Sequence, residues 1–343
     1  LDTARHLSLQ GRYIAAMARP DRWVSWKFAG IHQGMGLIKK YRPDAIWSTY
    51  PIATAHVIGA ELHRRSGLPW IADFRDPMAQ ESYPADPITH QQYINIEKTA
   101  IEQASISLFT TPGAARVYRQ RYPGFAQKID VLENGYDEPS FQQAEAALPT
   151  QRVPLNPGAF TFLHSGIVYP SERDPTQLFQ ALAKLKETLP ESIGKLKIRF
   201  RASVHDDLLQ QLAKEYDVAE FIETLPSVGY SEALGEMLRA DGLLLMQAAN
   251  CNDQIPAKIY EYLRTGKPIL GLTDHAGDTA ELLRNAGCKT IVDIANSQAI
   301  HEMLMLFVQS CARLSIPPLN QSFITSASRH GRTSSLARIL HAL

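Results

Sequence analysis

IPAKIYEYLRTGKPIL, residues 255–270, decides how the rest of this chain is read. It runs from a loop into a short helix that stops and drops straight into a buried strand. Pro256 suits the first helical position, where its missing N–H costs nothing, and Gly266 suits the stop. Ile269-Leu270-Gly271-Leu272 is a strand-like apolar run. That layout presents a helix N-terminus at the edge of a parallel sheet, where backbone N–H groups and the helix dipole attract anions, phosphate above all. Lys258 in the first turn adds a full positive charge. Glu261, one turn later, is suited to accept hydrogen bonds from a sugar or ribose diol. The competing reading is an ordinary strand–helix–strand unit with a chance Lys and Glu.

Outward from this segment, strand-like apolar runs followed by helix-length stretches recur, the signature of βα units and parallel sheets. Four lie in the first half, at 45–48, 70–73, 107–110 and 129–132. Six lie in the second, at 160–164, 197–201, 219–223, 242–246, 269–272 and 290–292. Between them, residues 139–158 are rich in proline and polar side chains, lack a sustained apolar period, and read as a linker. The expected fold class is α/β, with two Rossmann-like doubly wound domains. The expected boundaries are 1–138, the linker 139–158, 159–320, and a C-terminal helix over 321–343 that packs back toward the first domain.

At 343 residues the chain is long enough for two cores. Its 35 basic and 35 acidic side chains balance, which argues against broad nucleic-acid binding. Cys251, Cys288 and Cys311 are odd in number and far apart, suggesting neither a disulfide framework nor a zinc site. A reducing cytoplasm is the simplest home. No run approaches the roughly eighteen apolar residues of a membrane span. The histidines are dispersed, and His56, His63, His90 and His164 read as surface or satisfied core residues rather than metal ligands.

The 255–270 segment resembles the nucleotide-sugar site of retaining, GT-B-fold glycosyltransferases, the large group 1 (family 4-like) family that includes bacterial polysaccharide and lipopolysaccharide transferases. Further motifs extend the resemblance from about Lys39 to about Val292. YRPDAIW, 41–47, looks like the start of a central strand of the acceptor domain. GLPWIADFRDPM, 67–78, sets Asp73, Arg75 and Asp76 at a strand end, where ligands bind in open α/β sheets. The resemblance puts them in the acceptor-side cleft, although the histidine many members carry at this strand end is missing. Arg75 bridging two aspartates to fix the loop is the alternative. LENGYD, 132–137, matches the turn before the crossing into the second domain, with Asn134 near the cleft. In FTFLHSGIVYPSERDP, 160–175, Gly166 lets backbone approach a ligand and Arg173 offers a guanidinium fork for diphosphate. Arg173 pairing with Glu172 or Asp174 remains open.

By resemblance, Arg173 and Lys258 neutralise the departing diphosphate, Asp253 contacts the donor sugar with Asn250 and Asn252 able to share the task, and Glu261 takes the ribose. Gly166, Ile255 and Pro256 complete the donor site. The family's acidic pair has glutamate where this chain has Asp253. No cofactor or metal is implied beyond the nucleotide-diphosphate sugar as co-substrate. The family's glycine-rich loop has no counterpart before Pro43-Asp44, so about the first hundred residues of an ordinary member are expected to be absent. The implied function is transfer of a sugar to a glycan or lipid-linked acceptor with retention, in bacterial polysaccharide biosynthesis. The alternatives are a sugar-nucleotide epimerase of the same architecture, or an impaired homologue that binds nucleotide or glycan without turnover. Trp23, Trp26 and Lys27 fall on one face at helical spacing, which fits a peripheral contact with the inner face of the membrane. A helix packing its aromatics on its own domain fits the same spacing.

Overall fold

The computed structural model describes residues 18–81, 83–150, 153–309 and 319–343. They form two compact units. The first takes the described residues up to Glu133 and regains the chain at Leu336–Leu343, and the second spans Asn134–Ser335.

In the first unit, β1 (Ile46–Thr49), β2 (Trp70–Phe74), β3 (Ile106–Phe109) and β4 (Ile129–Val131) pair in parallel, in chain order. Helices α1 (Trp26–Tyr41), α2 (Ala53–Ser66), α3 (Pro87–Gln103) and α4 (Pro112–Arg121) precede or connect them. The helix starts are written locally. Asp86 accepts the Thr89 N–H with Pro87 behind it, and Thr111 accepts the Ala114 N–H with Pro112 behind it. Phe74 and Phe109 stack with ring centroids 5.0 Å apart, and Trp70 and Tyr118 are buried in the same core.

The second unit holds α5 (Glu138–Ala147), β5 (Phe160–Ser165), α6 (Thr176–Thr188), β6 (Leu196–Arg201), α7 (Asp206–Glu215), β7 (Ile222–Leu225), α8 (Tyr230–Arg239), β8 (Gly242–Gln247), α9 (Lys258–Thr265), β9 (Ile269–Thr273), α10 (Asp278–Asn285), β10 (Ile291–Val292), α11 (Ser297–Gln309), α12 (Gln321–Ser326) and the first half of α13 (Arg329–His341), whose residues from Leu336 belong to the first unit. Its parallel sheet runs β10-β9-β8-β5-β6-β7. The chain therefore starts at the centre, winds outward to β7, returns beside β5 as β8 and winds out the other way. Such a sheet is covered on both faces, so its strands carry unbroken apolar runs rather than alternation with polar residues. β8 shows it: Leu244 and Met246 enter one buried cluster while Leu243 and Leu245 enter the other.

All ten strand-like runs in the sequence have a strand. The run at 219–223 is displaced: Ala219–Phe221 form a short 3-10 turn anchored by buried Phe221, and the strand starts at Ile222. Residues 139–158 are not a simple linker, because α5 occupies most of their first half. Asp137 caps it by accepting the Ser140 N–H, and Arg264 of α9 pairs with Glu138 and Glu145. Only Phe141 and Ala144 of α5 are buried, which is why no sustained apolar period announced a helix. The C-terminal segment is two helices, broken at Ala327-Ser328, where the Tyr136 N–H donates to the Ala327 carbonyl and the Tyr136 carbonyl accepts the Arg329 N–H. Beyond that break, Leu336 and Ile339 of α13 pack with Ile71, Leu108 and Leu132.

Because Phe141 is fully buried, Phe141→Ala is expected to cost about 3–5 kcal/mol of stability. The measurement is the urea midpoint of unfolding, and an unchanged midpoint would show that α5 is not part of the core.

Candidate functional site

The strand order of the second unit reverses between β5 and β8, and open α/β sheets bind ligands outside the strand C-termini at such a reversal. Here β5 ends in His164 and Ser165, Gly166 follows it, and α9 grips all three. Lys258 and Tyr262, four residues apart, share one helix face. Lys258 Nζ lies 3.3 Å from His164 Nε2, and the Tyr262 hydroxyl accepts the Ser165 N–H at 2.9 Å. Gly166 has φ +116°, and a Cβ there would stand 2.8 Å from Lys258 Nζ. A glycine is what allows the ammonium to rest against the backbone.

The N-cap of α9 is Ala257, which supplies no side-chain cap. Pro256, expected as the first helical residue, lies just before it, and its carbonyl accepts the Ile259 N–H at 3.0 Å. The proline ring fits there because the helix proper needs no donor from it. Ile255 and Pro256 are both buried and seat the loop.

Lys258 keeps partial access to solvent, but its ammonium is set deep. Burial pushes its pKa down to about 7, the neighbouring Arg173 guanidinium acts in the same direction, and Glu261 opposes them. Arg173 donates through Nη1 to the Ile167 carbonyl at 2.6 Å and lies over the Tyr169 ring at 5.1 Å. Its Nε is buried without a hydrogen-bond partner among the described residues. Glu261 accepts the Tyr230 hydroxyl at 2.7 Å, and burial raises its carboxyl above the usual range. Sequence gave no warning of Tyr230, which is 31 positions away.

Asp253 lies in the turn between the short 3-10 helix Ala249–Cys251 and α9. The two asparagines flanking it have other partners. Asn252 donates to Asp274 at 2.6 Å, and Asn250 donates to the Ser171 carbonyl at 2.9 Å. Of the two readings its sequence left open, surface or core, His164 takes the core, but it also touches the lysine. It is fully buried, and burial first, then Lys258, holds its pKa well below the ordinary value.

Asp73, Arg75 and Asp76 belong to the first unit, at the C-terminal end of β2. Asp73 is buried. Its Oδ2 accepts the Thr49 hydroxyl at 3.1 Å, and its Oδ1 has no partner among the described residues. Burial raises its carboxyl while Arg75 counters. Asp76 is exposed. Asn134 opens the second unit, its carbonyl accepting from Arg332 at 3.1 Å. Trp23 precedes α1 rather than sharing its face with Trp26 and Lys27, and Trp23, Trp26 and Phe28 are all exposed. Cys251 and Cys288 are buried free thiols, and Cys311 lies outside the described residues. Among the described residues no group of three His, Cys, Asp or Glu is arranged to hold a metal ion, and no helix is long and apolar enough to cross a membrane.

No protein-family model matches this sequence, and no curated protein matches it. Solved structures share its fold. HepE of Anabaena, in complex with UDP, superposes with a TM-score of 0.65 at 15% identity, covering 91% of this chain and 82% of that one. The α,α-trehalose 6-phosphate synthase of Burkholderia multivorans gives 0.67 at 14% identity, over 93% and 75%. The sucrose-phosphate synthase of Thermosynechococcus elongatus gives 0.62 at 13%, over 93% and 79%. The chain has the GT-B α/β fold, with sheets of four and six parallel strands.

A lysine whose folded pKa is about 7 against 10.5 ordinarily burdens the fold below pH 7, where folded and unfolded chains both carry its charge. The burden fades as pH rises from 7 toward 10.5, because the folded chain sheds the proton first. Lys258→Met is therefore expected to raise Tm by several degrees at pH 6 and by little at pH 10. A pH-independent change in Tm would show that the ammonium is not held against its solvation.

Proposed function

We propose that this chain is a retaining glycosyltransferase that moves a hexosyl group from a nucleotide-diphosphate sugar to a glycan or lipid-linked acceptor, without a metal ion. One observation carries the reading: two cationic side chains, Lys258 against the bare backbone of Gly166 and Arg173 bonded to the Ile167 carbonyl, meet adjoining residues at the open end of the strand where the sheet order reverses. An anion there relieves the repulsion of the two cations and gains a charge-assisted hydrogen bond from each. The unpartnered Nε of Arg173 and the bare backbone of Gly166 supply a donor and the room for it. The GT-B fold shared with structures solved with UDP supports a nucleoside diphosphate as that anion, and UDP is the first to test.

In this reading, Lys258 and Arg173 meet the charge that develops on the departing diphosphate, which is the largest protein contribution to such a transition state. The bond from the sugar's anomeric carbon to the acceptor oxygen forms on the face from which the phosphate oxygen leaves. That oxygen takes the acceptor proton, so the protein supplies no base. Asp253 contacts the donor sugar, Ile255 and Pro256 seat the loop, and Glu261, held by Tyr230, receives the ribose diol. Asp73, Arg75, Asp76 and Asn134 serve the acceptor. Trp26 and Lys27 on α1, with Trp23 exposed just before the helix rather than on its face, are the contact with the inner face of a membrane, which suits a cytoplasmic enzyme of bacterial polysaccharide synthesis acting on a lipid-linked acceptor.

Calorimetry with UDP tests this directly. Near pH 8 the free lysine is largely neutral and the diphosphate recharges it, so binding is expected to take up close to one proton, visible as a heat that changes with the ionisation enthalpy of the buffer. Excess EDTA is expected to leave the affinity unchanged. No binding of UDP, GDP or ADP at millimolar concentration would overturn the transferase reading, and loss of binding on chelation would overturn its metal independence.

The two residues of α9 separate by ligand. Lys258→Ala is expected to weaken both UDP and inorganic pyrophosphate, and to lower turnover by roughly a hundredfold or more. Glu261→Gln spoils a charge-assisted bond worth about 1.5–3 kcal/mol to the ribose diol, so it weakens UDP and leaves pyrophosphate unaffected. Equal effects on pyrophosphate would make Glu261 a structural partner of Lys258 instead.

A further inference from the structure

Within the proposed site, we infer that His164 is a positioning residue: its neutral imidazole accepts a hydrogen bond from Lys258 and holds that ammonium on the Gly166 backbone, where the diphosphate is to be met. The tautomer follows from the partners. Nδ1 lies 3.0 Å from the Leu244 carbonyl, which can only accept, so Nδ1 carries the proton and Nε2 keeps its lone pair. Lys258 Nζ, which carries N–H donors whether charged or neutral, stands 3.3 Å from that lone pair. The Ile167 carbonyl also faces the ring and takes the Arg173 Nη1 donor at 2.6 Å, but the Leu244 carbonyl is the one at hydrogen-bond distance and angle from a ring nitrogen. The imidazole therefore links the backbone of β8, the strand across the reversal, to the cation on α9.

The arrangement answers a mechanical problem. A lysine has four rotatable carbon–carbon bonds, and fixing its end costs conformational entropy. Of the groups around Lys258, Arg173 repels it and Glu261 attracts it from one turn along α9. His164 is the group whose own position is fixed by full burial on a central strand. It pulls the ammonium toward the end of β5 without neutralising it, as a carboxylate would. The charge that Lys258 regains when the diphosphate binds is then left whole for that ligand.

The inference rests on the transferase reading, and the test separates the two. In the full chain, His164→Leu removes the acceptor while nearly keeping the volume, and His164→Gln can restore both bonds, Nε2–H to Leu244 and Oε1 to Lys258. Pyrophosphate and UDP are expected to bind His164→Leu about tenfold more weakly, with His164→Gln recovering most of the loss. In a Lys258→Met background the same His164→Leu change is expected to have little further effect. A loss that is undiminished in that background, or absent from the single variant, overturns the inference. Nitrogen NMR of the histidines in the unmodified chain gives a second arm that needs neither ligand nor variant. His164 is expected to show a protonated Nδ1 and bare Nε2 from pH 5 to 9, its Nε2 resonance moving as Lys258 titrates near neutrality. A protonated Nε2 overturns the inference whether or not any nucleotide binds, whereas failure of the unmodified chain to bind any diphosphate overturns the transferase reading.

Discussion

The seating of Lys258 on the end of β5 is the constraint around which the second unit is arranged. It requires a residue without a side chain at 166, a buried acceptor at 164, and a helix whose first turn faces both. It also requires that helix to be held in register. Tyr262 does so one turn later through the Ser165 N–H, and Arg264 at the far end ties α9 to α5 through Glu138 and Glu145. Rotating α9 by one residue would break all of these contacts together, since residues 258 and 262 share a face only at helical spacing.

A cation placed this way lowers the stability of the empty fold. Burying an ammonium with a guanidinium beside it costs solvation that one imidazole and one carboxylate only partly return. The rest of the unit offsets that cost with two apolar clusters, one on each face of a six-stranded parallel sheet. Functional sites commonly carry such local instability, because a site already satisfied by its own protein has nothing left for a ligand.

How much of this was legible beforehand divides along a physical line. The ten strands were visible because a sheet buried on both faces demands unbroken apolar runs, as in Leu243-Leu244-Leu245-Met246. The helix of 258–265 and its glycine stop were visible because Gly266, at φ +65°, ends a helix in the way only glycine does without strain. Helix α5 was hidden, since a helix that buries two residues leaves almost no period to detect. The partnership of His164 with Lys258 was hidden for a different reason. The two are 94 positions apart, and only the reversal of strand order brings β5 and α9 together.

The same division explains how a fold can be shared with HepE and the trehalose-phosphate synthase at 14–15% identity. Core positions ask for an apolar side chain of about the right volume, and many combinations satisfy that. The end of β5 is less tolerant. Gly166 cannot accept a Cβ without displacing Lys258, and at φ +116° it is outside the range other residues adopt comfortably. Position 164 must be buried and must offer a lone pair beside a donor that satisfies the Leu244 carbonyl, which an imidazole with its proton on Nδ1 does in one ring. The chemistry of the second unit is thus concentrated in a few positions at one strand end, while the remainder of the unit is free to vary so long as it holds that strand and that helix together.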